Sequence, residues 1–457
     1  MFYTQLYHAL LHPSTFSDAN GQYMGFDGRV RRLRRGVRYA DFSGWDTYRT
    51  QMPLLAMIVP RRASDMVRSL LAAARESGYL PKWSQANGHT HVMVGDPAAP
   101  LIAGAWAFGA RGFDRSAALG ALVKGATVYG KASTSPDYYQ RAGLPPYLAL
   151  GYVPHELNTD GIAQTFFPER TWGSVSTTLE YALADFAIAR LAGSACRRPQ
   201  YEQFMARSAN WRRLFDHSVA LAQPRSESGA FLPRAPSDTE DFVEGSAAQY
   251  TFAVPHDPAG LFAALGGTAA ARSRLDAFFA ELNAGPASAN AYLGNEPTFG
   301  MPWLYDWAGQ PHRTQSLVRR ALLELYDASP SGLPGNDDLG AMASWWVLSA
   351  LGLYPAVPGT DLLALNSPLF PHSRVRTGSG VVRIDAPRAA PGRPYVHGLR
   401  LKGRGWPRAW LRYRSLARGA RLLFDLRGRP DPRFGAAPAQ APPSFAPGGK
   451  LRCGRGR

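Results

Sequence analysis

Two acidic segments that lie far apart in the chain carry the residue types needed to hydrolyse a glycosidic bond. Residues 241–250 read DFVEGSAAQY, and residues 332–340 read GLPGNDDLG. Both place carboxylates among glycines, small residues and aromatics, where a soluble helix would normally carry Leu, Lys and Ala. Two carboxylates over an aromatic-rich cleft can share this chemistry, because one protonates the leaving oxygen while the other activates water or attacks the sugar.

The composition is typical of a globular protein with a sizeable core. The chain has 457 residues, of which 45% are hydrophobic and 12% aromatic. Its longest apolar run, near Leu54–Val59, is far shorter than the ~20 residues that a membrane helix needs. We therefore expect no membrane span.

The net charge of +17 is typical of proteins that bind nucleic acid or anionic membranes. The arginines are nevertheless scattered, being dense only at residues 29–38 and 374–457, and no zinc-finger spacing or RNA-binding aromatic signature accompanies them. Genomic GC bias explains such a composition better, so we expect no nucleic-acid partner. If a basic tail at residues 436–457 did bind DNA, its retention on DNA would fall with salt.

The cysteines and the N-terminus give little information on the cellular compartment. Cys196 is expected at a helix end and Cys453 in the basic tail, without a CxxC pair, so we expect no disulfide bridge. Residues 1–8 lack the basic, apolar and small-residue regions of a signal peptide. They are typical of a helix interior, as in a fragment or in a gene model that begins late.

Apolar residues at helical spacing, separated by Gly/Pro loops, predict about twelve amphipathic helices. One is expected from Ser64 to Gly78, a second from a capping box at Thr177–Glu180, and a third after Asp338. Helices of ~10–20 residues joined as hairpins are typical of a toroid, which six pairs would close as an (α/α)6 barrel. We expect this mainly α fold over residues 1–356.

The pattern changes towards the C-terminus, where alternating residues predict strands at Val381–Ile384, Tyr395–Leu401 and Arg421–Leu426. We therefore expect residues 357–435 to form a small β module packed on the barrel. Residues 436–457 are rich in Pro, Gly and Ala and then basic, which predicts a flexible tail.

The predicted loops hold clusters of polar and aromatic residues, most of them just before a helix. In a helical toroid this repeated position places the clusters on one rim, where they can form a single pocket. Besides the two acidic segments, the clusters lie at residues 42–49, 83–88, 94–97 and 294–297.

These clusters resemble motifs of the glycoside hydrolase family 92 α-mannosidases, many of which are α-1,2-mannosidases. The resemblance runs from Phe2 to about Pro371, and more loosely to Pro443. Its motifs are FSD at 16–18, FSGWDTYRTQ at 42–51, LPKWSQANGHTHVMVGDP at 80–97, STTLEYALADFAIA at 176–189, DFVEGSAAQYTFAVPHD at 241–257, NEPTFGMPWLYDWAGQP at 295–311 and GLPGNDDLGAMASWWVLSALGLYP at 332–355.

The resemblance implies an N-terminal β-sandwich packed on an (α/α)6 catalytic domain that hydrolyses α-mannosides with inversion and needs calcium. This chain resembles the family from the linker into the catalytic domain onwards, so we expect the sandwich to be a missing structural partner. In the family it covers one side of the cleft and helps to form the subsite for the leaving sugar. The resemblance also implies a secreted or periplasmic full-length protein, although this chain shows no signal peptide.

By resemblance, Glu244 is the general acid and Asp338 the general base. The acid must stay protonated near neutral pH through burial or a neighbouring negative charge, and Phe242 and Tyr250 could supply apolar surroundings. An inverting enzyme holds its base ~6.5–9.5 Å from the acid, with a water between them. The structural alternatives are a helix N-terminal carboxylate for Glu244 and an N-cap for Asp338. Asp337 fits that capping role better, or supports the base.

Six further residues are expected to bind sugar by resemblance: Trp45, Asp46, Arg49, Asp96, Asn295 and Glu296. Trp45, Asp46 and Arg49 would form the platform for the −1 sugar, since Asp can bind two adjacent hydroxyls and Trp can stack on the ring. The alternative is a capping Asp with an i,i+3 Arg partner. Glu296 would line the leaving-group subsite, or else be a turn residue. Members specific for α-1,2 linkages carry His before this Glu, and Asn295 therefore argues against assigning that linkage.

The calcium ligands are the least defined part of the site. Calcium takes six to eight oxygen ligands, and the chain has no EF-hand spacing. Gln249, Glu296 and Asn336 are oxygen-bearing candidates in the motifs, and some relatives carry a second acidic residue at the position of Asn336. Asp96 is expected either to bind sugar or to be structural.

We therefore expect a calcium-dependent, inverting exo-α-mannosidase that acts on terminal α-mannosides of N-glycan or mannan type. The alternative is a truncated, non-catalytic remnant that binds carbohydrate, because half of the cleft would be missing.

Overall fold

Helices are the main regular elements of the chain as far as Ala350. The computed structural model describes residues 1–161, 167–449, 451 and 453, and none of the helices within these ranges is long and apolar enough to cross a bilayer. The fifteen α-helices of the described residues are α1 Phe2–Ala9, α2 Gly44–Thr47, α3 Gln51–Ile58, α4 Pro60–Ser77, α5 Ala98–Ala107, α6 Arg115–Thr127, α7 Leu144–Leu150, α8 Ser174–Ser194, α9 Arg198–Arg207, α10 Ala247–Thr251, α11 Pro258–Ala264, α12 Thr268–Phe278, α13 Leu304–Trp307, α14 Pro311–Glu324 and α15 Ala341–Ala350.

Four buried helices form an inner layer. The residues of α3, α5, α8 and α15 are buried on nearly all sides, as expected for helices without a polar face. Within this layer α8 packs against α5, α5 against α3, and α3 against α15. The half-exposed helices α4, α6 and α9 pack on the inner layer, α4 against α3 and α5, and both α6 and α9 against α8. An outer set of helices therefore covers an inner layer of buried ones.

Two predicted helix starts are wrong. The helix expected from Ser64 begins at Pro60, because proline is favoured in the first helical turn. Its end at Gly78, in the left-handed region with φ 94°, is as predicted.

The capping box expected at Thr177 is absent, because α8 begins earlier, at Ser174, after Gly173 with φ 68°. The N–H of Val175 instead donates to the main-chain oxygen of Asp241, at 3.1 Å. A distant loop thus caps this helix, and no local pattern could indicate that.

Short strands connect the helices, and longer ones form the C-terminal part. The twenty-one strands of the described residues are β1 Ser14–Thr15, β2 Gln22–Met24, β3 Val30–Arg32, β4 Tyr39–Ala40, β5 Phe42–Ser43, β6 Trp83–Gln85, β7 Gly88–His89, β8 Lys131–Ala132, β9 Ser135–Tyr139, β10 Asn158–Thr159, β11 Thr171–Trp172, β12 Phe215–Asp216, β13 Leu221–Ala222, β14 Leu353–Tyr354, β15 Leu362–Leu365, β16 His372–Arg376, β17 Val381–Asp385, β18 Tyr395–Leu401, β19 Arg404–Gly405, β20 Trp410–Arg412 and β21 Ala420–Arg427.

The three strands predicted near the C-terminus are confirmed as β17, β18 and β21. They belong to a five-stranded sheet of order β16-β17-β21-β18-β19, in which β17 and β21 are parallel with Ile384 opposite Leu422. A second sheet, of order β14-β15-β20, follows α15 directly. One continuous cluster of buried apolar residues includes both the helices and these two sheets, so the C-terminal strands share the core of the helical part.

The segment after the last strand packs against the helices, although a flexible tail is predicted there. We call residues 438–449, 451 and 453 the C-terminal strap. The indole N–H of Trp307 donates to a main-chain oxygen of the strap, at 3.3 Å. The N–H of Phe445 donates to the main-chain oxygen of His256 at 2.9 Å, and its ring lies 5.3 Å from that of Phe186. Positions 450, 452 and 454–457 of the predicted tail lie outside the described residues.

Candidate active site

The candidate acid Glu244 lies on the loop that leads into α10. Its backbone is in the left-handed region, with φ 50°, which is uncommon for a residue with a side chain. The side-chain amide of Asn295 donates to the Glu244 main-chain oxygen at 2.9 Å and to its carboxylate at 3.2 Å. Burial raises the pKa of Glu244, and the hydrogen bond from Asn295 opposes that rise. The environment therefore favours a carboxyl that keeps its proton.

The loop is fixed by Asp241, three residues before Glu244. Its carboxylate is buried and accepts hydrogen bonds from Ser174 at 2.7 Å and Arg234 at 2.9 Å. The ring of His155 places Nδ1 2.9 Å from the same carboxylate. With φ 71°, Asp241 also has a left-handed backbone, and such strain persists only where the surroundings hold it in place.

The candidate base Asp338 lies in a tight turn before α15. Asp338, Leu339 and Gly340 are all left-handed, with φ 44°, 57° and 91°. At Gly340 a Cβ would lie 3.0 Å from the backbone of Ala9 in α1, so this turn needs glycine both for its φ and for its space. The cap of α15 comes from Asp337, whose carboxylate accepts the N–H of Ala343 at 2.9 Å. The side chain that caps α15 is therefore that of Asp337 and not that of Asp338.

Burial and the nearby charges of Glu244 and Asp337 raise the pKa of Asp338 to about 6. A carboxyl with this pKa is ionised at neutral pH and yet basic enough to accept a proton from water. Both candidate residues are partly buried, and burial is the largest cause of the raised pKa of each.

Asp46, Glu296 and Asp338 form a carboxylate cluster. Each contributes one oxygen, and these three atoms all lie within 4.8 Å of one another. Asp46 is 2% exposed and Glu296 is 0% exposed. Both oxygens of Glu296 and Oδ1 of Asp46 are buried without a hydrogen-bond partner among the described residues. Buried carboxylates this close together must be protonated or must bind a cation.

The charge balance of the cluster is unfavourable for ionisation. Burial first, and then the neighbouring carboxylates, raise the pKa values of Asp46 and Glu296 well above their usual range. The positive charge of Arg49 lowers both pKa values, but by less than burial and the neighbouring carboxylates raise them. A divalent cation would reverse the balance, since it stabilises the ionised form of each ligand.

The cluster fits calcium by size and by donor type. Calcium binds carboxylate oxygens at ~2.3–2.6 Å, so oxygens on opposite sides of the ion are ~5 Å apart. Of the three candidate ligands proposed from sequence, Glu296 is part of the cluster. Gln249 donates to the main-chain oxygens of Gly285 at 2.9 Å and Asn290 at 3.0 Å, and its side-chain oxygen accepts the N–H of Ser246 at 3.2 Å. Asn336 is exposed.

Arg49 binds a carboxylate that sequence reasoning missed. Its guanidinium donates to Glu180 at 2.8 Å and to the main-chain oxygen of Trp45 at 3.1 Å. It also lies over the rings of Trp45 and Tyr48, at 5.0 and 4.6 Å from their centres. Arg49 therefore pairs with α8 and not with Asp46 three residues before it. A signal was available in Glu180 itself, one of two acidic residues in a helix rich in apolar residues.

Trp45 and Asp96, the remaining two sugar-binding candidates, are both buried. Trp45 is 1% exposed and packs with Val94 and Val243, the latter just before Glu244. A second indole, that of Trp172, packs against the same group and stays partly exposed. Trp172 is the more accessible surface for stacking on a sugar, and the sequence offered no specific signal for it.

Asp96 lies in a separate ion-pair network. Its carboxylate accepts from Arg141 at 2.8 Å and from Gln140 at 2.9 Å. Arg141 also donates to Asp185 at 2.8 Å, and all of these side chains are buried. Both carboxylate oxygens of Asp96 thus accept hydrogen bonds within this network, as expected for a structural role.

A group of buried carboxylates, an acid candidate with a raised pKa and a nearby base candidate define a glycoside-hydrolase type of site. The sequence matches the protein-family model of the glycosyl hydrolase family 92 catalytic domain over residues 1–428. The chain therefore belongs to glycosyl hydrolase family 92, which confirms the resemblance seen in its motifs.

Solved family members have a similar structure. A family 92 α-mannosidase from Bacteroides thetaiotaomicron is 30% identical, with a TM-score of 0.87 over 97% of this chain and 57% of its own. A family 92 inverting mannosidase from the same bacterium is also 30% identical, with a TM-score of 0.85 over 97% of this chain and 61% of its own.

An uncharacterised secreted glycosidase of Arthroderma benhamiae is 27% identical over 416 residues, which are 84% of this chain and 51% of that protein. The chain thus spans about half to three fifths of the length of the relatives it matches.

Proposed function

We propose that this chain is the catalytic domain of an exo-α-mannosidase, which hydrolyses terminal α-mannosides of N-glycan or mannan type with inversion. The observation that carries the proposal is the placement of Asp338 beside Asp46 and Glu296, with Glu244 close enough to raise its pKa. The two solved relatives named above, described as α-mannosidase and inverting mannosidase, support the substrate and the stereochemistry.

In the proposed reaction Glu244 and Asp338 move one proton each. The carboxyl of Glu244 protonates the glycosidic oxygen as the bond to the anomeric carbon breaks. The carboxylate of Asp338 takes a proton from the water that attacks that carbon from the opposite face, so the products are an inverted sugar and a free hydroxyl. Asn295 holds the acid in place through its two bonds to Glu244.

We propose that the helices close as an (α/α)6 barrel, with residues 1–356 as the catalytic domain and residues 357–435 as the β module. The neighbouring contacts of α15, α3, α5 and α8 support this arrangement. The difference in length from its relatives supports a further domain as partner, which by resemblance is the β-sandwich. The secreted relative supports a secreted or periplasmic full-length protein.

We propose that Ca²⁺ is the cation of the carboxylate cluster, with Asp46, Glu296 and Asp338 as its protein ligands. When bound, the ion would neutralise these side chains and attract the hydroxyl oxygens of a sugar. The unpartnered oxygens of Asp46 and Glu296 support this assignment.

Calcium is expected to stabilise the protein more at pH 8 than at pH 5. Without the ion, the raised pKa values of Asp46 and Glu296 mean that the folded protein binds more protons than the unfolded chain, so its stability falls as the pH rises above ~4. Bound calcium removes this penalty, because it pairs with the ionised carboxylates. Thermal unfolding with calcium and with EDTA, measured at each pH, gives the difference in Tm.

Glu296→Gln should abolish that difference while making the calcium-free protein less sensitive to high pH. Glu240→Gln is the matched control, since Glu240 belongs to a second group of acidic residues with His155 and Asp241. A calcium response that survives in Glu296→Gln and disappears in Glu240→Gln would move the site to the second group.

The function itself is tested with linkage-defined α-mannobioses, with calcium, on this chain alone and joined to a β-sandwich domain from a relative. Proton NMR of the first product should show the β-anomer of mannose, because inversion of an α-mannoside gives that anomer. An α-anomer would exclude inversion. Mannose binding without turnover in both forms would favour the non-catalytic remnant.

A further inference from the structure

The C-terminal strap ends beside the end of helix α8. Along its course the strap bonds to Trp307 and packs Phe445 against the helices, as described above. Further on, the hydroxyl of Tyr201 in α9 donates to the main-chain oxygen of Gly449 at 3.2 Å. Leu451 packs so closely on Gly193 that a Cβ there would lie 3.2 Å from its side chain. These contacts direct the strap towards the turn between α8 and α9.

Cys196 occupies that turn. Its backbone is left-handed, with φ 54°, and its N–H donates to the main-chain oxygen of Gly193 at 3.1 Å. The next residue, Arg197, donates to Ala192 at 3.0 Å. Bonds of this kind terminate a helix and fix the direction of the residue at its end. The thiol of Cys196 is exposed.

Cys453 brings the second thiol to the same place. It is exposed, and its side chain interacts with that of Cys196, which is the largest cause of the raised pKa of Cys453. These are the chain's two cysteines, so no other pairing within one molecule competes.

We propose that Cys196 and Cys453 form a disulfide that fastens the C-terminal strap to the helical part. The sequence predicted no bridge, because about 257 residues separate the two positions and nothing in their local patterns places them together. The strap contacts remove that objection, since they hold the chain against α8 and α9 just before Cys453.

The bond would form by thiol–disulfide exchange with a small disulfide such as oxidised glutathione. One thiolate attacks the small disulfide and releases one thiol, and the second thiolate then displaces the other half. The two cysteines together lose two protons and two electrons, and one oxidised glutathione becomes two reduced molecules. An oxidising, extracytoplasmic environment favours this direction.

The test is the mass of the intact protein after incubation with oxidised glutathione. We expect a loss of two hydrogen atoms without a glutathione adduct, and a non-reducing tryptic digest in which the peptide of residues 191–197 is joined to that of residues 453–455. The oxidised protein should unfold on the order of 5 °C above the reduced protein, because the bridge closes a long loop and restricts the unfolded chain.

Cys196→Ser and Cys453→Ser serve as matched variants, and both should unfold at the Tm of the reduced protein under either condition. Two thiols that remain free, a stable glutathione adduct on either cysteine, or disulfide-linked dimers would each overturn the proposal. None of these measurements depends on the proposed mannosidase activity, so the two proposals can fail separately.

Discussion

Glu244→Gln should lower the rate on unactivated α-mannosides by about 10²–10⁴-fold, the usual contribution of a general acid. An amide cannot protonate the departing oxygen, and an alkoxide is a poor leaving group. The rate of this variant on aryl α-mannosides with an acidic phenol should fall much less, because the phenolate leaves without a proton. Steady-state kinetics on a mannobiose and on a nitrophenyl mannoside give the two losses directly.

Glu240→Gln is the control for this variant. Its side chain is 59% exposed, four residues before Glu244 on the same loop, so the same chemical change there should leave both rates within a few-fold of the unaltered protein. Equal losses on both substrates in Glu244→Gln would remove this residue from the acid role. Circular dichroism of both variants shows whether the loop change has disturbed the fold.

The pH dependence offers a second view of the same variant. In the acid role Glu244 is still protonated where Asp338 ionises, so its replacement by Gln removes no charge there and the acidic limb of kcat/KM should stay in place. The basic limb, which reports deprotonation of the acid, should disappear. A retained acidic limb and a lost basic limb would appear in one profile.

Local patterns in the sequence were enough for elements whose stabilisation is local. The strands β17, β18 and β21 were predicted because alternation reports which face of a strand is buried. The end of α4 was predicted because Gly78 can adopt the left-handed backbone that closes a helix. In each case the physical cause lies within a few residues of the element.

Long-range contacts determine the features that local sequence patterns did not predict. The start of α8 depends on the main-chain oxygen of Asp241, and Arg49 pairs with Glu180, more than a hundred residues away. The choice of candidate metal ligands from the sequence was limited in the same way. Gln249 was chosen for its oxygen, although Ser246 and Gln249 have the Ser-x-x-Gln spacing of a capping box, which the structure shows.

The candidate site combines both kinds of information. The motifs placed Glu244 and Asp338 on loops, and the structure adds that both have left-handed backbones. Gly340, two residues after Asp338, is itself left-handed with φ 91° and takes up part of this turn without strain. The strain at Glu244 is held by bonds from Asn295, which belongs to another motif, and that at Asp338 by the cap at Asp337 in the same motif. A cluster of strained residues of this kind is typical of functional loops.

Asp338→Asn should lower the rate by about 10²–10⁴-fold on every α-mannoside, whatever its leaving group, because the attacking water loses its base. This independence of the leaving group distinguishes the base from the acid. The acidic limb of kcat/KM should also disappear. Without calcium the pKa of Asp338 is about 6, and bound calcium stabilises its ionised form. In the unaltered, calcium-loaded enzyme we therefore expect the rate to rise at a pH below 6.

Asp337→Asn is the matched control, one residue away in the same turn. Its remaining side-chain oxygen can still accept the N–H of Ala343, so the cap of α15 should survive and the rate should stay within about tenfold. Loss of one neighbouring negative charge should shift the acidic limb to lower pH, since Asp337 raises the pKa of Asp338. If Asp337→Asn instead lost the activity and Asp338→Asn kept it, the roles of the two residues would be exchanged, and Asp337 would have to serve both as helix cap and as base.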